Sequence, residues 1–96
     1  MRKLKIPDET AELIRGMHPD LKKKIRASLQ FILSDPSIGK PLKDDLSGLW
    51  SSRVGGFRII YRVADDRIIE IVAIGPRESI YEETFKLLQQ SSNLHA

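Results

Sequence analysis

Cysteine is absent from the 96 residues, so neither a disulfide nor a thiolate-held zinc belongs to this chain. Histidine is scarce: His18 and His95 are far apart, with no glutamate or second histidine at ligand spacing, so no metal and no cofactor is implied. No apolar run approaches the roughly eighteen residues of a membrane span. The start Met1-Arg2-Lys3-Leu4-Lys5-Ile6 is basic but lacks the apolar stretch of a signal peptide, so a cytoplasmic address away from membranes is expected. Gly39-Lys40 lacks the remainder of a phosphate loop, Gly55-Gly56 lacks the rest of a dinucleotide fingerprint, and no nucleophile elbow surrounds any serine. Lysine is missing from Asp44 to Phe85, where five arginines stand alone as cations.

What is there describes one domain, residues 1–96, large enough to bury about two thirds of its unfolded surface. Sixteen Lys+Arg against thirteen Asp+Glu give a formal +3, a mild excess that favours polyanions. Leu4 and Ile6 alternate with Lys3 and Lys5 as in a short strand, ended by Pro7. Asp8 is a good N-cap for a helix carrying Ala11, Ile14 and Met17 on one stripe. Pro19 suits the first position of a second helix, in which Leu21, Ile25, Leu29, Ile32 and Leu33 recur until Asp35-Pro36 stops it. Lys22, Lys23, Lys24 and Arg26 form its other side, either a solvated face or one that touches a polyanion. Ser37 to Gly48 reads as loop. Three strands, Leu49–Val54, Phe57–Val63 and Ile68–Ile74, then form a meander, and a last helix covers about Glu78 to Gln90, followed by a polar tail, Ser91–Ala96. The fold class is therefore α+β: an N-terminal strand, a helical hairpin, a three-stranded antiparallel meander and a C-terminal helix.

A two-residue turn at Gly55-Gly56 sets Arg53 directly against Arg58, and like charges opposed across a ladder are destabilising unless an anion sits between them. Arginine presents a planar fork that holds two phosphate oxygens at once, so Arg53, Arg58 and Arg77 could converge on one phosphate. The bland alternative pairs them with Asp44, Asp45, Glu70 or Glu78. If Arg77 enters the last helix, it shares a face with Tyr81, which could accept a proton, stack on a base or simply be core. Simple pairing of the meander gives one apolar face, with the rows Trp50/Tyr61/Glu70, Ser52/Ile59/Val72 and Val54/Phe57/Ile74, to lie beneath the N-terminal helices. The other carries Leu49/Arg62/Ile69, Ser51/Ile60/Ile71 and Arg53/Arg58/Ala73, an apolar centre ringed by arginines that the last helix, a partner chain or both should cover.

Four blocks carry a family resemblance: Gly39-Lys40-Pro41-Leu42, Leu46-Ser47-Gly48-Leu49-Trp50, Arg53-Val54-Gly55-Gly56-Phe57-Arg58-Ile59-Ile60-Tyr61, and Ile74-Gly75-Pro76-Arg77 with Tyr81. Over nearly the whole chain the sequence resembles the RelE/ParE superfamily of toxins from toxin–antitoxin systems. That resemblance implies a RelE-like microbial RNase-type fold and an mRNA interferase. Such an endoribonuclease binds mRNA on the ribosome, inhibits translation and uses metal-free attack of a ribose 2′-hydroxyl on the adjacent phosphate. A ParE-like DNA gyrase inhibitor and a catalytically weak antitoxin-binding module are the alternatives. By position, the resemblance makes Arg58, Arg77 and Tyr81 catalytic, with Arg53, Arg62, Lys40 and Lys43 as candidate RNA and phosphate contacts. It implies a cognate antitoxin, held in a hetero-oligomer, and the strip Leu49, Ile60, Ile69 and Ile71 is the candidate surface for it. Leu49 and Ser51 stand where some RNase members carry lysines, and Pro76 stands where many relatives carry His or Lys, so the general acid and base must come from elsewhere, with Lys40 and Lys43 the candidates.

Overall fold

A computed structural model describes residues 2–94, with side chains as far as residue 90. His95 and Ala96 lie outside the described residues. Strand β1 (Lys3–Lys5) leads into helices α1 (Asp8–Arg15) and α2 (Pro19–Ser34), then come β2 (Lys40–Pro41), β3 (Trp50–Val54), β4 (Phe57–Asp65), β5 (Ile68–Pro76) and helix α3 (Ile80–Leu94). Pro7, not Asp8, occupies the N-cap position of α1, so Asp8 enters the first turn, where its charge favours the positive helix end. That helix also stops at Arg15, short of Met17. Pro19 opens α2 as expected, and His18 Nδ1 accepts the Asp20 N–H at 3.2 Å. The Asp35 carboxylate accepts from the Ser37 N–H at 3.1 Å and hydroxyl at 2.6 Å, which ends α2 and starts a short 3-10 turn.

The sheet has five strands in the order β1-β5-β4-β3-β2, with β1 parallel to β5 and every other pair antiparallel. The stretch read as loop thus contains an edge strand: Lys40 pairs with Ser51 and Pro41 with Trp50. Two residues are too few for a periodic signal, and proline is tolerated there because an edge strand needs only one row of donors. Tyr61 anchors this edge. Its buried hydroxyl donates to Pro36 O at 2.6 Å and accepts the Gly39 N–H at 3.0 Å, while its ring stacks on Trp50. A β-carbon at residue 39 would press on that hydroxyl and on Ser51 O, so glycine is needed for the approach.

The β3–β4 pairing is the expected one, but β4 and β5 follow another register. A carboxylate turn closes the hairpin, Asp65 Oδ1 accepting from Arg67 N and Ile68 N, so that Asp65 faces Ile68. Ala64 is then an extra residue on β4 and Val72 an extra residue on β5. Between these two bulges the pairing differs by one residue from the simple meander, and a one-residue slip reverses the faces. Ile69 and Ile71 therefore lie in the core beneath α1 and α2, with Ile59, Tyr61 and Ile74. Val72 and Ala73 turn instead toward α3.

Two cores result. The larger joins Ile14, Ile25, Leu29 and Ile32 of the helices to the sheet, and each fully buried isoleucine in it contributes roughly 1.5–3 kcal/mol relative to exposure. The smaller lies under α3 and gathers Leu49, Ile60, Ala73 and Ile80, with Tyr81 and Leu88 at its margin. Gly75 lets α3 come close, since a β-carbon there would stand 2.8 Å from Ile80 Cδ1. Of the strip expected to receive an antitoxin, Leu49 and Ile60 are covered by the chain's own last helix, and Ile69 and Ile71 are on the other face altogether. That helix continues through Leu94, into the stretch read as tail.

Candidate active site

The cationic end of the sheet is built by the β3–β4 hairpin. Gly55 takes φ +59°, the first central position of a tight hairpin turn, and this sets Arg53 opposite Arg58. Gly75 on β5 completes that row in place of the expected Ala73. The ladder extends one step past the strand, for Arg77 N–H donates to Gly56 O at 2.8 Å and fixes residue 77 at the same end. Because α3 begins at Ile80, Arg77 sits in the turn before it and does not share a helical face with Tyr81.

Tyr81 lies in the first turn of α3, over the sheet. The Arg58 guanidinium sits 5.6 Å from the centre of its ring, close enough for a cation–π attraction. Arg58 Nη1 donates to Ser51 Oγ at 3.2 Å, and the Tyr81 hydroxyl donates to the same oxygen at 3.3 Å. Ser51 is buried, and the register sets it opposite Lys40 on one side and Ile60 on the other. Arg58 Nε is also buried and has no hydrogen-bond partner.

Among the described residues, no carboxylate lies within ion-pair distance of Arg53, Arg58 or Arg77. Arg53 and Arg77 are exposed and Arg58 is half-buried, so water is the remaining partner of the first two. Arg62 is different. It bonds Glu70 at 2.6 Å, directly across the β4–β5 ladder, because the bulges bring Glu70 onto its face. Four residues along the strand from Arg58, it is also roughly 13 Å away at about 3.3 Å per residue, apart from the Arg53–Arg58 pair.

Beside Tyr81 is a pocket of about 340 Å³, lined by Lys40, Pro41, Leu42, Lys43, Leu46 and Tyr81. The edge strand, which sequence reasoning missed, thus brings Lys40 and Lys43 to the pocket beside Tyr81, while its pairing with Trp50 and Ser51 runs away from the Arg53–Arg58 hairpin. A larger groove of about 710 Å³ runs along β5 between α1 and α3. It is mostly apolar, and its lysine, Lys86, faces Glu82 at 3.6 Å, so it lacks the free charge of a phosphate site. Ser51 was absent from the candidate residues. The signal available for it was a small hydroxyl in an otherwise apolar row next to two arginines.

A five-stranded sheet flanked by helices, with the Arg58 guanidinium over a tyrosine and Arg53 set opposite Arg58, defines a small α+β protein with a cationic sheet end. A family model described as the ParE toxin of type II toxin–antitoxin system, parDE, matches residues 4–81, and the chain belongs to this family. It is 35% identical over 78 residues to toxin RelE of Mycobacterium tuberculosis, covering 75% of this chain and 80% of that protein. Toxin RelG of the same organism is 32% identical over 73 residues, or 70% of this chain and 84% of the relative. Among solved structures, the isolated E. coli RelE toxin superposes with a TM-score of 0.69 at 18% identity, covering 92% of this chain and 99% of that one. The toxin in the archaeal RelE–RelB complex from Pyrococcus horikoshii gives 0.63 at 21% identity, covering 79% and 94%. The fold is that of the RelE-like toxins. No described helix is long and apolar enough to cross a membrane.

Proposed function

We propose that this toxin is an endoribonuclease that inhibits translation by cutting mRNA on the ribosome in the cytoplasm. The observation that carries the reading is Arg58: half-buried, free of any carboxylate, steadied by Ser51 and Tyr81, and with a buried Nε that has no partner. An unpaired buried donor on a cation is costly, and a phosphate oxygen is the ligand that would relieve it. In the proposed reaction the 2′-hydroxyl gives up its proton, its oxygen attacks the neighbouring phosphorus, and the 5′-oxygen leaves with a proton. The products are a 2′,3′-cyclic phosphate and a 5′-hydroxyl end. Arg58 and Arg77 offset the added negative charge of the five-coordinate state, Arg53 supports them, and Tyr81 stacks on or proton-couples to the reacting nucleotide. Lys40 and Lys43, at the mouth of the pocket beside Tyr81, are the candidates for proton transfer and backbone contact.

A cognate antitoxin is the expected partner, as in the RelE–RelB complex. Contact with Leu49 and Ile60 would require it to lift α3 and with it Tyr81, which disables the site as well as covering it. The second reading, inhibition of DNA gyrase, draws on the ParE description of the matching family model. Induction without antitoxin separates the two: primer extension should reveal cuts inside coding frames. Intact transcripts together with inhibited supercoiling would move the protein to the gyrase reading.

A further inference from the structure

We infer that Ser51 is a positioning residue of the active site, the pivot that holds Arg58 and Tyr81 in a shared geometry before substrate arrives. The inference rests on the ribonuclease reading for its kinetic part alone. Ser51, the second residue of β3, is 2% exposed and stands in a row between Lys40 of β2 and the apolar Ile60 and Ala73. A buried hydroxyl there costs free energy unless it is bonded, and an alanine would pack without that cost. Its two side-chain bonds among the described residues go to the two side chains that the proposed reaction uses, one at 3.2 Å and one at 3.3 Å.

The chemistry of the group suits a pivot. A serine hydroxyl accepts two hydrogen bonds and donates one. Accepting from Arg58 fixes the rotation of the guanidinium plane, so its remaining N–H groups are already aimed when a phosphate enters, which removes an ordering cost from the reaction. Sharing the second bond with Tyr81 ties α3 to the sheet at the reacting end. Because Ser51 can also turn and donate to the phenol oxygen, the pair can present the Tyr81 hydroxyl either as donor toward Ser51 or as donor toward substrate. The direction of that one bond is therefore coupled to what Tyr81 offers the nucleotide. Ser51 itself touches no substrate atom in this scheme, and it acts through its two neighbours.

The test uses full-length toxin and two independent readouts. Steady-state cleavage of a ribosome-bound transcript should show kcat for Ser51→Ala lowered roughly 10–100-fold, the cost of one bond to a charged group, with KM nearly unchanged. Nitrogen-15 NMR of the arginine side chains reads the pivot directly: hindered rotation of the Arg58 guanidinium in the wild type should be lost in Ser51→Ala, under conditions where both proteins melt alike. Wild-type kcat in Ser51→Ala, or a loss of kcat with the Arg58 signal unchanged, assigns the hydroxyl to packing and overturns the proposal. If the wild-type protein cuts no RNA, the ribonuclease reading fails, while the NMR comparison still decides whether Ser51 holds Arg58.

Discussion

At the scale of single residues, the decisive distinction is between arginines that have partners and arginines that have none. Arg62 is satisfied by Glu70, whereas the described carboxylates leave Arg53, Arg58 and Arg77 uncompensated. Arg58→Ala and Arg77→Ala should each reduce RNA cleavage by about 10²-fold or more, the scale of losing a charge-stabilising donor, while thermal melts move only a few degrees. A melting collapse in either variant would assign that arginine to the fold. Tyr61 has the opposite role. Burial pushes its phenol above the ordinary 10.0, with the negative charge of Asp35 adding to the shift and the Gly39 N–H opposing it. The neutral form is thus the one the fold favours. Its stabilisation is complete below the unfolded value and is lost as pH rises through and beyond it. Denaturant melts of the wild type should weaken at alkaline pH in that window, and Tyr61→Phe should cost about 1–3 kcal/mol at neutral pH, from the two lost bonds, while removing this part of the alkaline sensitivity. The Arg53–Arg58 apposition was legible in the sequence because a Gly-Gly turn between alternating residues dictates its own register. The Arg62–Glu70 bond was not, since it depends on two bulges that no local spacing announces.

Among elements, β2 and α3 matter most for the site. Strand β2 is two residues long, yet it brings Lys40 opposite Ser51 and carries the chain into the pocket beside Tyr81. Its pairing depends on Gly39 and the Tyr61 hydroxyl, a contact across 22 residues of chain that periodicity does not report. The helices and the three long strands were readable because each repeats its apolar residues over several turns or pleats. The positions of Ile69 and Ile71 were misread because the slip between the bulges exchanges the two faces of β5. Helix α3 rests on Gly75. Gly75→Ala should force Ile80 away from the sheet, lower stability by about 1–3 kcal/mol as overpacking does, and lower cleavage more than the melt alone explains, because Tyr81 follows Ile80. Equal loss of stability and unchanged cleavage in the folded fraction would show that α3 can shift without disturbing the site. Antitoxin binding that lifts α3 should speed amide hydrogen exchange across Ile80–Gln90. Unchanged or greater protection there would mean that the antitoxin docks without displacing the helix.

For the molecule as a whole, the +3 net charge is small, and its placement carries the function. Arg53 and Arg58 meet at the hairpin, Lys40 and Lys43 line the pocket beside Tyr81, and Tyr81 and Ser51 lie between them, while the groove between α1 and α3 is mostly apolar. The fold and the family were legible because four sequence blocks mark the hairpin, the strand ends and the tyrosine together. Lys40 and Lys43 were named from the sequence as well, but their position on and just after an edge strand was not, since that strand is too short to foresee. The central claim is that this end cuts RNA through the 2′-hydroxyl. The most direct test is incubation of the toxin with programmed ribosomes and a transcript, followed by mass spectrometry of the new ends, with a matched transcript carrying 2′-deoxyribose at the cut position. The account predicts a 2′,3′-cyclic phosphate or its opened product on one fragment, a 5′-hydroxyl on the other, and no cut at the deoxy position. Cleavage of the deoxy-substituted transcript at the same position, or intact RNA under conditions that stop gyrase supercoiling, would contradict it.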